Sequence, residues 1–114
     1  MLSVRQTQLS LFKFLQRRIT TSVEVELIDH TDSCMVILVT NYQKSQAEAA
    51  THVIGHLKKH IFHNKPNVFC YTRNPKEALL AMKKDSCDTM PKGLMPTQVL
   101  VLVKWPAESE RPLF

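Results

Sequence analysis

The sequence predicts a single α/β domain, a two- or three-layer sandwich on a mixed four-stranded sheet, with an α+β arrangement as the alternative class. Three observations carry that expectation. Hydrophobic spacing switches between the helical and the strand period in the order α-β-β-α-β-α-β. Residues 34–40 and 98–105 are apolar without alternation, the pattern of strands covered on both faces. Two helix starts carry capping signatures. A chain of 114 residues makes one domain and buries about two-thirds of its unfolded surface, enough to fold without disulfides or metal.

The organisation follows as a basic N-terminal helix over 1–22, an α/β domain over 23–105 and a loose C-terminal tail over 106–114. In the first segment, Val4, Leu11, Leu15 and Ile19 recur at helical spacing, Phe12 widens the stripe, and Leu9 and Phe14 lie off it. Arg5, Lys13, Arg17 and Arg18 meet no acid there, so the segment holds +4 of the formal net charge of +5. Three readings fit: a helix that covers the sheet, a mitochondrial transit segment, and a surface helix for anionic lipid or nucleic acid. Lys13 interrupts the apolar stretch and excludes a secretory signal.

Residues 23–29 alternate strictly, with Glu24 and Glu26 on one side, as in an edge strand. A polar turn over 30–33 joins it to the strand 34–40 in a hairpin. Ser45 and Glu48 open a helix over about 45–63, with Ala47, Ala50, Ile54, Leu57 and Ile61 on its buried face and Val53 beside them. Asn64-Lys65-Pro66 ends it, and 67–72 is a short strand. Asn74, Pro75 and Glu77 start a helix running to about Lys84 that buries Ala78, Leu79 and Met82. Residues 85–97 form the longest loop, and the strand 98–105 is central. Right-handed crossovers between strands then imply the mixed sheet, with Val36, Leu38, Val101 and Val103 fully buried.

Composition narrows function. The two glycines, Gly55 and Gly93, permit no phosphate-cradling loop and no nucleophile elbow, so no nucleotide cofactor is expected and no other cofactor is suggested. No apolar run reaches the roughly 20 residues of a membrane span. Cys34, Cys70 and Cys87 have no CxxC spacing and read as reduced thiols of an intracellular, cytoplasmic protein, with the mitochondrial matrix as the alternative. His52, His56, His60 and His63 form a helical stripe. His52, His56 and His60 are weak zinc candidates because the metalloprotease glutamate is missing, and no structural metal is expected. Asp29, His30, Asp32, Ser33 and Cys34 could be drawn as a catalytic cluster at the hairpin turn, yet neighbours on a strand point apart and these are ordinary turn residues.

No catalytic residue is therefore nominated. The expected function is a small non-enzymatic accessory protein acting on a protein partner or as a homodimer, through the N-terminal helix and the sheet edge. The helix candidates are Leu9, Phe12, Phe14, Leu15, Arg17 and Arg18. An RNA- or DNA-binding domain is the alternative, using Lys58, Lys59, Lys65, Arg73, Lys76, Lys83 and Lys84, with Tyr42, Tyr71 and Trp105 as stacking candidates. An enzyme of unrecognised type is the second alternative.

Overall fold

A computed structural model of the chain describes residues 4–19, 23–59 and 68–105. The elements are α1 (Val4–Arg18), β1 (Val23–His30), β2 (Cys34–Asn41), α2 (Gln46–Lys58), β3 (Val68–Thr72), α3 (Pro75–Met82) and β4 (Gln98–Lys104). Their order is the expected one. The expected tail over 106–114 and the helix residues beyond Lys59 lie outside the described residues.

The sheet runs β1-β2-β4-β3, and every neighbouring pair is antiparallel, where a mixed sheet was expected. The helix α2 does cross between two strands of like direction, β2 and β3, but β4 inserts between them and opposes both. The reversal comes from residues 83–97. After α3, this long segment travels back across the sheet, with Cys87, Met90 and Leu94 packed on it, so β4 starts beside the end of β3. It is part of a layer as well as a connection.

Alternation along the strands builds two cores. Met35, Ile37 and Val39 of β2 and Val99, Val101 and Val103 of β4 face α1 and α2, meeting Leu11, Leu15, Val53 and Leu57. Cys34, Val36, Leu100 and Leu102 face the other way, against Ala78, Met82 and Met90. The result is three layers: two helices, the sheet, then α3 with its loop. Both central strands are sealed on both sides, which is why their sequence shows no polar alternation. Val36, Val101 and Val103 are fully buried as expected, but Leu38 is only half-buried. Its face is covered by one eight-residue helix, about 12 Å long, and the irregular segment 83–97, rather than by two helices.

The helix starts follow local chemistry. Ser45 Oγ accepts the Glu48 N–H at 3.2 Å, and Asn74 Oδ1 accepts the Lys76 N–H at 3.0 Å, with Pro75 in the first turn. Glu77 does not close a capping box. Its carboxylate accepts from Thr72 Oγ1 at 2.6 Å, while Thr72 Oγ1 accepts the Asn74 N–H. At the other end Lys83 adopts the left-handed conformation, φ 58°, and its N–H returns to Leu79 and Leu80 carbonyls. The buried stripe of α2 is Ala49, Ala50, Val53 and Leu57. Ala47 is exposed and Ile54 half-buried, so the helix is rotated from the expected face toward Val53.

Candidate functional site

The N-terminal helix is a docked cover. Leu11, Phe12, Leu15 and Ile19 are buried in the core beneath it, and Gln8 is fully enclosed. The Gln8 side-chain amide donates to the Thr31 carbonyl at 2.8 Å and to the Cys34 carbonyl at 3.3 Å, so it fastens α1 to the hairpin turn. Of the six interface candidates on this helix, Phe12 and Leu15 are thus committed to the chain's own core. Leu9, Arg17 and Arg18 remain exposed, and Phe14 is half-buried with the Arg18 guanidinium 5.3 Å from its ring centre. The residues after Ile19, where a transit segment would be cleaved, lie outside the described residues.

The two sheet edges differ in chemistry. β1 carries Glu24 and Glu26 outward, and Tyr42 at the end of β2 donates its hydroxyl to Glu24 at 3.3 Å. That carboxylate pushes the Tyr42 phenol up by its charge, with slight help from burial and from the hydrogen bond itself. Like charge on an edge opposes pairing with another strand. β3, VFCYT, carries no charge, and Val68 and Tyr71 are 41% and 46% exposed. Phe69 is half-buried beneath the Lys58 ammonium, 5.8 Å from its ring centre. β3 has β4 on one side and no strand on the other among the described residues.

The hairpin turn does not assemble the catalytic group drawn from the sequence. Register shifts between Leu27 and Asp29, an irregularity that puts Ile28 and Asp29 on the α3 face together. Val23, Val25 and Leu27 face α1, so unbroken alternation would drive Asp29 into that apolar core. Instead Asp29 lies opposite Val36 and meets Lys84 and Cys87, while His30 lies opposite Met35 on the α1 face. Cys34 is buried, and desolvation pushes its thiol up to about 11, which removes it as a nucleophile. Asp29 Oδ2 accepts from Lys84 Nζ at 2.5 Å and from Cys87 Sγ at 3.0 Å, and Cys87 Sγ is 2.9 Å from Thr89 Oγ1. Burial raises the Asp29 carboxyl, but hydrogen bonds from Cys87, Lys84 and the His30 N–H, with the Lys84 charge, outweigh it and hold the group below its usual range. Spacing nominated neither Lys84 nor Cys87 for this group, because 55 and 58 residues separate them from Asp29.

The nucleic-acid candidates do not converge. Lys58 and Lys59 end α2, on one face of the sheet, while Lys83 and Lys84 follow α3 on the other. Arg73 and Lys76 lie at the opposite end of the strands, beside the start of α3. Arg73 is committed to the Gln98 and Met95 carbonyls at 3.1 and 3.0 Å, and Lys84 to Asp29. Trp105 is buried, and Tyr42 follows the inner strand β2 whereas Tyr71 lies on the edge strand β3, beyond β4, so the three cannot share one strand of bases. Lys65 lies outside the described residues.

Of the histidine stripe, His52 and His56 are half-buried, with ring centres 4.7 Å apart edge to face. Desolvation lowers the basicity of His52 first, and the charges of Lys44, His56 and Lys59 add to it. A shallow hollow of about 430 Å³ beside it is lined by Lys44, Ala47, Glu48, Thr51 and His52. His60 and His63 lie outside the described residues, among which no group of three or more metal-ligating side chains occurs. No described helix is long and apolar enough to cross a membrane. Compared with known proteins, the chain matches no family model, no curated protein and no solved structure.

Proposed function

We propose that this chain is a small non-enzymatic interaction protein that receives an extended segment of a protein partner along β3. The observation that carries this reading is an uncharged edge strand exposing Val68 and Tyr71, on a sheet whose other edge is guarded by Glu24 and Glu26. An added strand gains main-chain hydrogen bonds from the β3 edge. Side-chain contact with Val68 and Tyr71 supplies apolar burial, at about 25 cal/mol per Å² removed from water. A second copy of the chain is one partner of this kind. The exposed Leu9, Arg17 and Arg18 on α1 offer a separate surface, away from β3 on the sheet face beside β1. Three cysteines without a disulfide suit a reducing compartment.

The test compares two variants of the tagged full chain in the cells that make it. Val68→Lys with Tyr71→Lys places two charges on the β3 edge, whereas Leu80→Lys places one on α3, where Leu80 is 76% exposed. The edge variant should migrate as a free monomer, while Leu80→Lys stays in the assembly of the unaltered protein. An edge variant that keeps the wild-type assembly contradicts the proposal.

A further inference from the structure

The group around Asp29 has no part in the β3 edge, and its chemistry is distinct. A thiol and an amine from one short stretch, Lys84 and Cys87, both donate to a single carboxylate oxygen of a distant strand. The two distances, 2.5 and 3.0 Å, put the nitrogen and the sulfur no more than 5.5 Å apart. The strand irregularity at Ile28 is what turns Asp29 to this face, and the left-handed turn at Lys83 redirects the chain just before Lys84. Thr89 holds the sulfur from the other side. Lys84 and Asp29 are 33% and 22% exposed, and Cys87 is half-buried, so a small oxidant reaches the group. Cys34, by contrast, is sealed in the core.

We propose that Lys84 and Cys87 form an oxidative modification site, at which a peroxide links the lysine nitrogen to the cysteine sulfur. In the first step the thiol gives its proton to solvent and the thiolate attacks a peroxide oxygen. A sulfur–oxygen bond forms, the oxygen–oxygen bond breaks, and the leaving hydroxide takes a proton from solvent and departs as water. The sulfur is oxidised by two electrons, to the sulfenic acid, and the peroxide is reduced. Lys84 then loses a proton to solvent, and its nitrogen attacks the sulfur. A nitrogen–sulfur bond forms, the sulfur–oxygen bond breaks, and the hydroxide leaves as water with a second proton from the nitrogen. One thiol, one ammonium and one hydrogen peroxide give one sulfenamide, two waters and one proton. The bond withdraws Lys84 from Asp29 and ties the end of α3 to the loop that follows. A thiol reductant reverses it, returning the amine and, in the end, the free thiol.

The experiment treats the full chain with a small excess of hydrogen peroxide, digests it without reductant and reads the peptides by mass spectrometry. The expected product joins Lys84 to Cys87 with two hydrogens lost and no oxygen gained, forms faster than any oxidation of Cys70, and disappears on adding dithiothreitol. Lys84→Arg keeps a cation for Asp29, and so the fold, but removes the amine; Cys87 sulfenic acid should then persist and be captured by dimedone. Cys87 oxidation no faster than that of Cys70 overturns the proposal. So does oxidised Cys87 that keeps its oxygen, or pairs with another chain, while Lys84 is unaltered.

Discussion

Replacing Leu15 with alanine separates a docked α1 from a free interaction helix. Leu15 is fully buried among residues of α2 and the sheet, whereas Leu9, on the same helix, is 42% exposed. The substitution removes three carbons from the core, about 2.4 kcal/mol of transfer free energy at ~0.8 kcal/mol per methylene. The cavity left beneath α1 adds to this, for a total of about 3–4 kcal/mol within the usual Leu→Ala range. Leu9→Ala removes the same atoms from a half-solvated site and should cost about 1 kcal/mol or less. The difference is a large part of the ~5–15 kcal/mol that holds a domain of this size together. Urea unfolding followed by circular dichroism measures both, provided the slope against urea is unchanged. Equal losses for the two variants, or a loss below about 1 kcal/mol for Leu15→Ala, would refute the docking of α1.

Leu100→Ala should cost about 2–5 kcal/mol and Leu38→Ala about half as much, although the two residues are partners across β2 and β4. The reason is that Leu100 is fully buried and Leu38 only half-buried, and urea melts of the pair check it. Asp29 has a lowered folded-state pKa, so its contribution is present above the ordinary value of 3.8 and disappears as pH falls through the folded value. Asp29→Asn should therefore lower the melting temperature at pH 7, and the deficit should close below about pH 4, as thermal melts across pH will show. His52 is also lowered, so the unfolded chain binds its proton first and stability declines as pH falls below the ordinary 6.5. His52→Gln should flatten that decline between about pH 7 and 5 in the same melts.

The element order was legible because each signal is local. Ser45 and Asn74 mark helix starts through bonds to backbone two or three residues away. The apolar runs of β2 and β4 report their own double burial. Strand direction was not local. It depends on residues 83–97 recrossing the sheet, and a loop that packs by Met90 and Leu94 has no periodicity to read. The half-burial of Leu38 depends likewise on the length of a helix elsewhere in the chain. The Asp29 group was hidden for a related reason. Strand alternation puts Asp29 on the wrong face, and only the shift at Ile28 returns it to Lys84 and Cys87. The contrast between the edges was partly visible in Glu24 and Glu26, but nothing in VFCYT distinguishes an edge from a centre.

The two exposed tyrosines permit the most direct test of β3 as the docking edge. Tyr71 lies on β3 and Tyr42 beside the acidic β1 edge, 46% and 62% exposed. A photo-reactive phenylalanine analogue placed at either position, in the full chain in its own cells, records whether a protein partner touches the β3 edge or the side of the sheet beside β1. Docking along β3 gives a protein–protein crosslink from position 71, abolished by Val68→Lys, and none from position 42. A crosslink from position 42 with none from position 71 would contradict it.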